Sequence, residues 1–206
     1  MILRLICSPR GTLSESYRLS EAVLARLRQT PELAGLPVVD VDTNVLPHVD
    51  TDYALTLASP ADPDAETTSR GALGLSAQLI RQLADARCVV IATPMHNYTV
   101  PSALKTWIDH VLRVRHTFAI TPQGKVGTLP DRRVYVAIAS GGHFSGDPAR
   151  QPDFLTPYLK AALGTMGLHD LSFFAVEGTV RGEAALAAAR DRAMRCLDAH
   201  FGAIAA

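Results

Sequence analysis

Three short stretches hold the residues whose types and spacing could do chemistry. The first is Ser8-x5-Ser14-Glu15-Ser16, which runs from a strand end into a helix start. Hydroxyls and unpaired backbone N–H groups at such a start converge on an anion, so the stretch suits one phosphate; ordinary N-capping by Ser14 accounts for the same residues. The second is Pro94-Met95-His96-Asn97-Tyr98, which offers the apolar, hydrogen-bonding and aromatic surface that a flat heteroaromatic ligand uses. His96 alone reads as an exposed loop histidine. The third is Ala139-Ser140-Gly141-Gly142-His143, where glycines let backbone amides approach a ring edge, or simply make a flexible turn.

Other chemistries find no support. A Walker A loop needs GxxxxGK[ST] and a dinucleotide fingerprint needs GxGxxG, and neither is present around Gly11. A phosphatase loop built on Cys7 would need an Arg where Leu13 stands. The seven histidines are scattered, HxxxH and HExxH are absent, and no triad or metal site is legible. No side chain is therefore expected to be catalytic in its own right. A bound cofactor would carry the reaction, with the protein supplying orientation and electrostatics.

Strands and helices must bring the three stretches together. Met1–Cys7, Val38–Val41, Cys88–Thr93, Val134–Ala139 and Leu171–Val176 read as strands. Helices follow from Ser14 to Gln29, around Leu75–Leu83, over Leu104–Leu112, over Phe154–Met166, and from about Gly182 to the end. Five alternations predict an α/β fold: a flavodoxin-like three-layer sandwich whose five parallel strands run in the order 2-1-3-4-5 with helices on both faces. The switch point between the first and third strands would make the Ser8–Ser16 and Pro94–Tyr98 loops the walls of one crevice, completed by Ala139–Gly142. The chain is expected to form one domain over residues 1–206. A mostly irregular excursion is expected at about 45–70, with its acids a solvated loop, and a hairpin at about 117–128.

Composition narrows the partners. Lys+Arg and Asp+Glu both number 20, so nothing electrostatic favours nucleic acid or an anionic membrane. The three cysteines are far apart, and Cys7 and Cys88 read as buried thiols. No signal peptide is read at the start, and no stretch approaches the roughly 18 apolar residues of a membrane span. A cytoplasmic protein is expected.

The motifs, taken in order, resemble the FMN-dependent NADH:quinone oxidoreductases, also called azoreductases. The match runs through Ser8-x5-Ser14-Glu15-Ser16, Ala92-Thr93-Pro94-Met95-His96-Asn97-Tyr98, Lys105-Thr106-Trp107-Ile108-Asp109, Thr117-Phe118 with Gly124 and Gly127, Ser140-Gly141-Gly142, and Thr156-Pro157-Tyr158-Leu159. The resemblance implies a homodimer with one FMN per subunit, reduced by NADH or NADPH and reoxidised by quinones or azo compounds in a ping-pong, two-electron cycle. By position, Ser8, Ser14, Glu15 and Ser16 would hold the phosphate. Pro94, Met95, His96, Asn97 and Tyr98 would line the ring, and Ala139, Ser140, Gly141 and Gly142 would close on its pyrimidine side. Phe118 and His143 would belong to the substrate pocket. Glu15 stands where a neutral residue is common; a carboxylate beside a phosphate is unfavourable, so its backbone N–H would be its contribution. Two other readings compete: a flavodoxin-type electron carrier, and a flavin-free module that senses a small aromatic.

Overall fold

The computed structural model describes residues 1–59 and 70–205. Its elements in order are β1 (Ile2–Ile6), α1 (Glu15–Leu27), β2 (Val38–Asp42), α2 (Thr51–Ala58), α3 (Gly71–Asp85), β3 (Cys88–Pro94), α4 (Ser102–Val111), β4 (Phe118–Thr121), β5 (Gly124–Gly127), β6 (Val134–Ser140), α5 (Leu155–Thr165), β7 (Leu171–Glu177) and α6 (Glu183–Ala205). Five strands pair in the order β2-β1-β3-β6-β7, all parallel. Numbered among themselves, they give the expected 2-1-3-4-5. Strands β4 and β5 form the expected hairpin as a separate antiparallel pair.

Alternation along the strands feeds two cores. Leu3, Leu5, Val89, Ile91, Val136 and Ile138 meet Leu79 and Leu83 of α3, Leu104, Trp107 and Ile108 of α4, and Leu159 and Leu163 of α5. Ile2, Val90, Tyr135, Ala137 and Phe174 meet Leu19, Val23 and Leu27 of α1 and Ala189, Ala193 and Leu197 of α6. Each of the Leu, Ile, Val and Phe side chains among them contributes about 1.5–3 kcal/mol when fully buried. Strand β3 sits centrally, and its uncharged CVVIATP run is buried on both faces up to Pro94.

Arg4 is the exception within β1. It is buried, and its guanidinium grips Asp40 of β2 through two hydrogen bonds of 2.8 and 2.7 Å. It also pairs with Glu21 of α1 and donates to Tyr17 Oη at 3.1 Å. Burial opposes its charge, but the hydrogen bonds to Asp40 and Glu21 outweigh that and hold the group above its ordinary pKa.

The stretch expected to be irregular is partly helical. Asp50 Oδ1 accepts the Tyr53 N–H at 2.8 Å and starts α2, with Asp52 in the first turn. Acids that look like solvated loop residues are helix-start residues, and buried Tyr53 pins the helix against Ala72 and Leu73. Its hydroxyl donates to the Asp109 carbonyl at 3.0 Å. The rest of that stretch, with Pro60, Asp62, Pro63, Asp64 and Glu66, lies outside the described residues. No helix among the described residues is long and apolar enough to cross a membrane.

The hairpin docks on the C-terminal end of α5. A Cβ on Gly127 would lie 2.2 Å from Gly167 N and 2.4 Å from Met166 C, both backbone atoms. Gly127→Ala must therefore force the hairpin off this end. A loss of about 2 kcal/mol or more is expected, read as a lowered denaturant midpoint.

Candidate functional site

Three loops leave the C-terminal ends of β1, β3 and β6, which are neighbours in the sheet. In the first, Ser8 is buried, and its carbonyl accepts the Gly11 N–H at 2.9 Å. The same carbonyl accepts Asn44 Nδ2 at 3.1 Å from the turn after β2. Gly11 takes a φ of +52° and lets the chain fold into the single 3-10 turn Gly11–Leu13. Ser14 caps α1: its Oγ donates to the Gly11 carbonyl at 2.8 Å and accepts the Tyr17 N–H at 3.2 Å. Ser16 Oγ lies 3.3 Å from Ser14 Oγ, and both residues are buried.

The Glu15 carboxylate is engaged elsewhere. Arg190 of α6 meets it through two hydrogen bonds of 2.8 and 2.6 Å, with Arg18 Nε at 3.9 Å. The Arg190 hydrogen bond holds this carboxyl below the usual carboxylate range. Because the folded pKa is depressed, the pair's contribution to stability is fully present above the unfolded carboxylate pKa. It is lost as pH falls through the folded value.

In the second loop, His96 N and Thr99 N each donate to the other's carbonyl at 3.0 Å, with Asn97 and Tyr98 between them at φ +49° and +73°. Two successive positive φ values make a type I′ turn. Asn accepts this conformation readily; for Tyr98 it costs about 1–2 kcal/mol. The Tyr98 carbonyl accepts the Phe154 N–H at 3.0 Å, and Met95 N–H donates to the Ala139 carbonyl at 2.8 Å, tying this loop to the next. Met95 is buried, His96 and Asn97 are exposed, and Tyr98 is half exposed.

In the third loop, Ser140 is buried and its carbonyl accepts the Thr179 N–H at 3.1 Å. The Gly142 carbonyl accepts the Gly178 N–H at 3.3 Å. A Cβ on Gly142 would lie 2.2 Å from Gln151 Oε1, so this position has room only for glycine while Gln151 is seated there. Glu177, at the end of β7, accepts the N–H groups of Phe144 at 2.7 Å and Ser145 at 3.3 Å and so holds the segment that follows.

The two residues expected in a substrate pocket are not brought together. His143 lies beside Glu177, Nδ1 to Oε2 at 3.8 Å, and borders a cavity of about 630 Å³ with Arg181, Ala189 and Arg192 on the β7–α6 side. Phe118 is buried in the hairpin opposite Gly127, at the C-terminal end of α5. The crevice meets the other end of α5, which Phe154 precedes, so Phe118 lies a helix length away from the crevice of its own chain. The hairpin was legible from its turn residues; the end of the sheet on which it docks was not.

A larger cavity, about 1070 Å³, opens at the opposite edge of the sheet between Arg26, Asp85, Arg87, Arg132 and Asp198. Two of its cations have partners at hand: Arg26 pairs with Asp198 at 2.8 Å, and Arg132 donates to the carbonyls that end α3. None of the three loops reaches it. Cys7, beside the first loop, is no nucleophile, since burial pushes its thiol up to about 12.

Four residues of this arrangement carry no sequence signal as site residues: Asn44, Gln151, Glu177 and Arg190. Asn44 had the best chance, in the polar Asp42-Thr43-Asn44 turn at the end of β2. Arg190 reaches Glu15 across 175 positions, a pairing only the folded chain reveals.

A family model described as flavodoxin-like fold matches residues 1–201. FMN-dependent NADH:quinone oxidoreductase 4 of Pseudomonas fluorescens is 44% identical over 196 residues, covering 95% of this chain and 93% of the relative. FMN-dependent NADH:quinone oxidoreductase 5 of Burkholderia lata is 43% identical, covering 89% and 87%. Among solved structures, an azoreductase from Bacillus anthracis superposes with a TM-score of 0.77 at 25% identity over 96% of this chain and 98% of its own. An FMN-dependent NADH-azoreductase from the same organism, solved in complex with FMN, shares the fold with a TM-score of 0.78 at 23% identity, over 100% and 99%.

Proposed function

The chain belongs to the family of FMN-dependent NADH:quinone oxidoreductases on the flavodoxin-like fold, and from that premise we propose that it binds FMN and passes a hydride from NADH or NADPH to quinones and azo compounds. The observation that carries this reading is the convergence of the three loops at the switch point between β1 and β3.

The residues present fit the cofactor. For the phosphate there is a helix start whose first-turn N–H groups lack intrahelical partners, beside the hydroxyls of Ser14 and Ser16 and a Glu15 whose charge Arg190 already answers. For the ring there is the strained Asn97–Tyr98 tip on one side and, on the other, a Gly142 position with no space for a side chain. When bound, FMN supplies the redox chemistry, accepting and releasing a hydride at N5. Asn97 and Tyr98 would orient the ring, and Ser140–Gly142 would hold its pyrimidine side. Half-exposed Tyr98 and Phe154, joined by a backbone hydrogen bond, border the opening that donor and acceptor occupy in turn. No side chain acts as nucleophile; proximity and stacking do the work.

The same proposal takes the protein to be a cytoplasmic homodimer built as a single three-layer sandwich. The two cores on opposite faces of the sheet support the layering, and three free cysteines suit a reducing compartment. Exposed Leu13, Val45, Tyr98, Phe154 and Val180 lie in segments after the strands and give the crevice edge an apolar rim that a second copy would cover. Phe118 can serve a substrate pocket only if that second copy presents it.

The visible spectrum of the purified protein, followed by anaerobic titration with NADH and NADPH separately, tests the core of this. Flavin bands bleached by either nucleotide are expected; a colourless protein that takes up no FMN would end the reading. Two variants probe the walls. Asn97→Ala is expected to weaken FMN about tenfold, the scale of one lost hydrogen bond, and to lower turnover with it. Arg190→Ala should leave the Glu15 charge with only the more distant Arg18 to answer it beside the phosphate, weakening FMN about tenfold but not riboflavin. Adding Glu15→Gln should restore the FMN affinity, as measured by fluorescence titration.

A further inference from the structure

The segment from His143 to Phe154 is a strap between two walls of the crevice. Glu177 holds its first turn through the N–H groups of Phe144 and Ser145, and Arg150 N–H closes back on the His143 carbonyl at 2.9 Å. At the far end, Phe154 N–H reaches the Tyr98 carbonyl at 3.0 Å. Gln151 lies on this strap, and its side chain turns inward. Nε2 lies 3.1 Å from Ser140 Oγ and 3.1 Å from Met95 Sδ. A thioether has no proton to give, so the nitrogen, not the oxygen, faces Met95. Both amide protons are thus spent on the protein. Oε1 rests over Gly142, and among the described residues no donor reaches it.

An acceptor left over in this place has a specific complement. The pyrimidine edge of oxidised isoalloxazine carries two carbonyls, which accept, and between them one donor, the N3–H. We propose that Gln151 is the residue that reads this edge: Oε1 accepts the N3–H, while Ser140 and Met95 fix the carboxamide plane from behind. The inference rests on the FMN-binding reading above and adds a residue in direct contact with the cofactor. It explains why Gly142 has no side chain, since a Cβ there would displace the oxygen. It makes the site selective for flavins with an unsubstituted N3, and it does so without placing a charge on the ring.

The test uses the flavin-free full-length protein and two probes, FMN and N3-methyl-FMN, titrated by fluorescence quenching against wild type, Gln151→Ala and Gln151→Leu. Wild type is expected to bind FMN about tenfold more tightly than N3-methyl-FMN, the scale of one hydrogen bond. Both variants should lose that tenfold on FMN and bind the two flavins alike. A residue that merely braces the strap would weaken both probes together and leave their ratio at the wild-type value, which would overturn the proposal. So would a wild type that binds both within twofold, or a Gln151→Ala that binds FMN more tightly, the mark of an obstruction. A wild type that binds neither probe removes the FMN reading itself, an outcome distinct from all of these.

Discussion

Ser14→Ala combined with Ser16→Ala is expected to weaken FMN by about ten- to a hundredfold while riboflavin binds as before, because a hydrogen bond to a charged group is worth about 1.5–3 kcal/mol. The two hydroxyls should not contribute equally. Ser14 Oγ already donates its one proton to the Gly11 carbonyl and receives the Tyr17 N–H. Ser16 Oγ has only Ser14 Oγ as a hydrogen-bond partner among the described residues, so its proton is the one free to turn to a phosphate. Ser16→Ala alone should therefore produce most of the change in the FMN-to-riboflavin ratio. Ser14→Ala should show instead as a loss of about 1 kcal/mol in stability, the usual cost of a lost N-cap. Equal affinity of the wild type for FMN and riboflavin would remove the phosphate site altogether.

Trp107→Ala should bring the fold close to its limit, at about 3–5 kcal/mol out of the 5–15 kcal/mol that typically separates native from unfolded states. Trp107 is fully buried on α4, in the core that also holds Met95 and Val100. Truncation would open a cavity beneath the loop that forms one wall of the crevice. Its indole N–H has no hydrogen-bond partner among the described residues, so Trp107→Phe sacrifices volume but no hydrogen bond and should cost less than half as much. Circular dichroism against urea is the measurement to use, since the chain has a single Trp and both variants remove its fluorescence. A midpoint for Trp107→Ala within experimental error of wild type would contradict the packing described for α4.

Local physics made much of this legible before any coordinates. The uncharged Val89–Ile91 run could only be a strand buried on both faces, and Pro94 marked its end. Leu19, Val23 and Leu27, one helical turn apart, placed the buried face of α1. What local signals could not supply were features decided by partners distant in sequence. Asp50 and Asp52 are solvated, as read, but they start a helix and not a loop, because nothing nearby announced Tyr53 as the residue that would bury and hold α2. Phe118 was placed in a substrate pocket by resemblance alone, and hairpin signals say that two strands pair but not where the pair docks. The close approach of Gly127 to Gly167 decides that, and the two lie forty positions apart. Within the loops, sequence singled out Ser14, Asn97 and Gly142 but not the residues that hold the loops, since Asn44, Glu177 and Gln151 act through contacts between loops.

The buried Arg4 has a consequence for alignment. Its Cα partner across the ladder is Asp40, so the bidentate grip closes only when β1 and β2 meet in one register. A slip of one residue would turn Arg4 toward the core that holds Leu3 and Leu5 and strand its charge among apolar side chains, a cost that contacts between the Ile and Leu residues of β1 and the valines of β2 cannot match. The same slip would shift the chain by about 3.3 Å, one strand rise, and carry Ser8 away from Asn44. The ion cluster thus acts as a ruler laid along the first strand, setting the length of chain from the sheet to the start of α1.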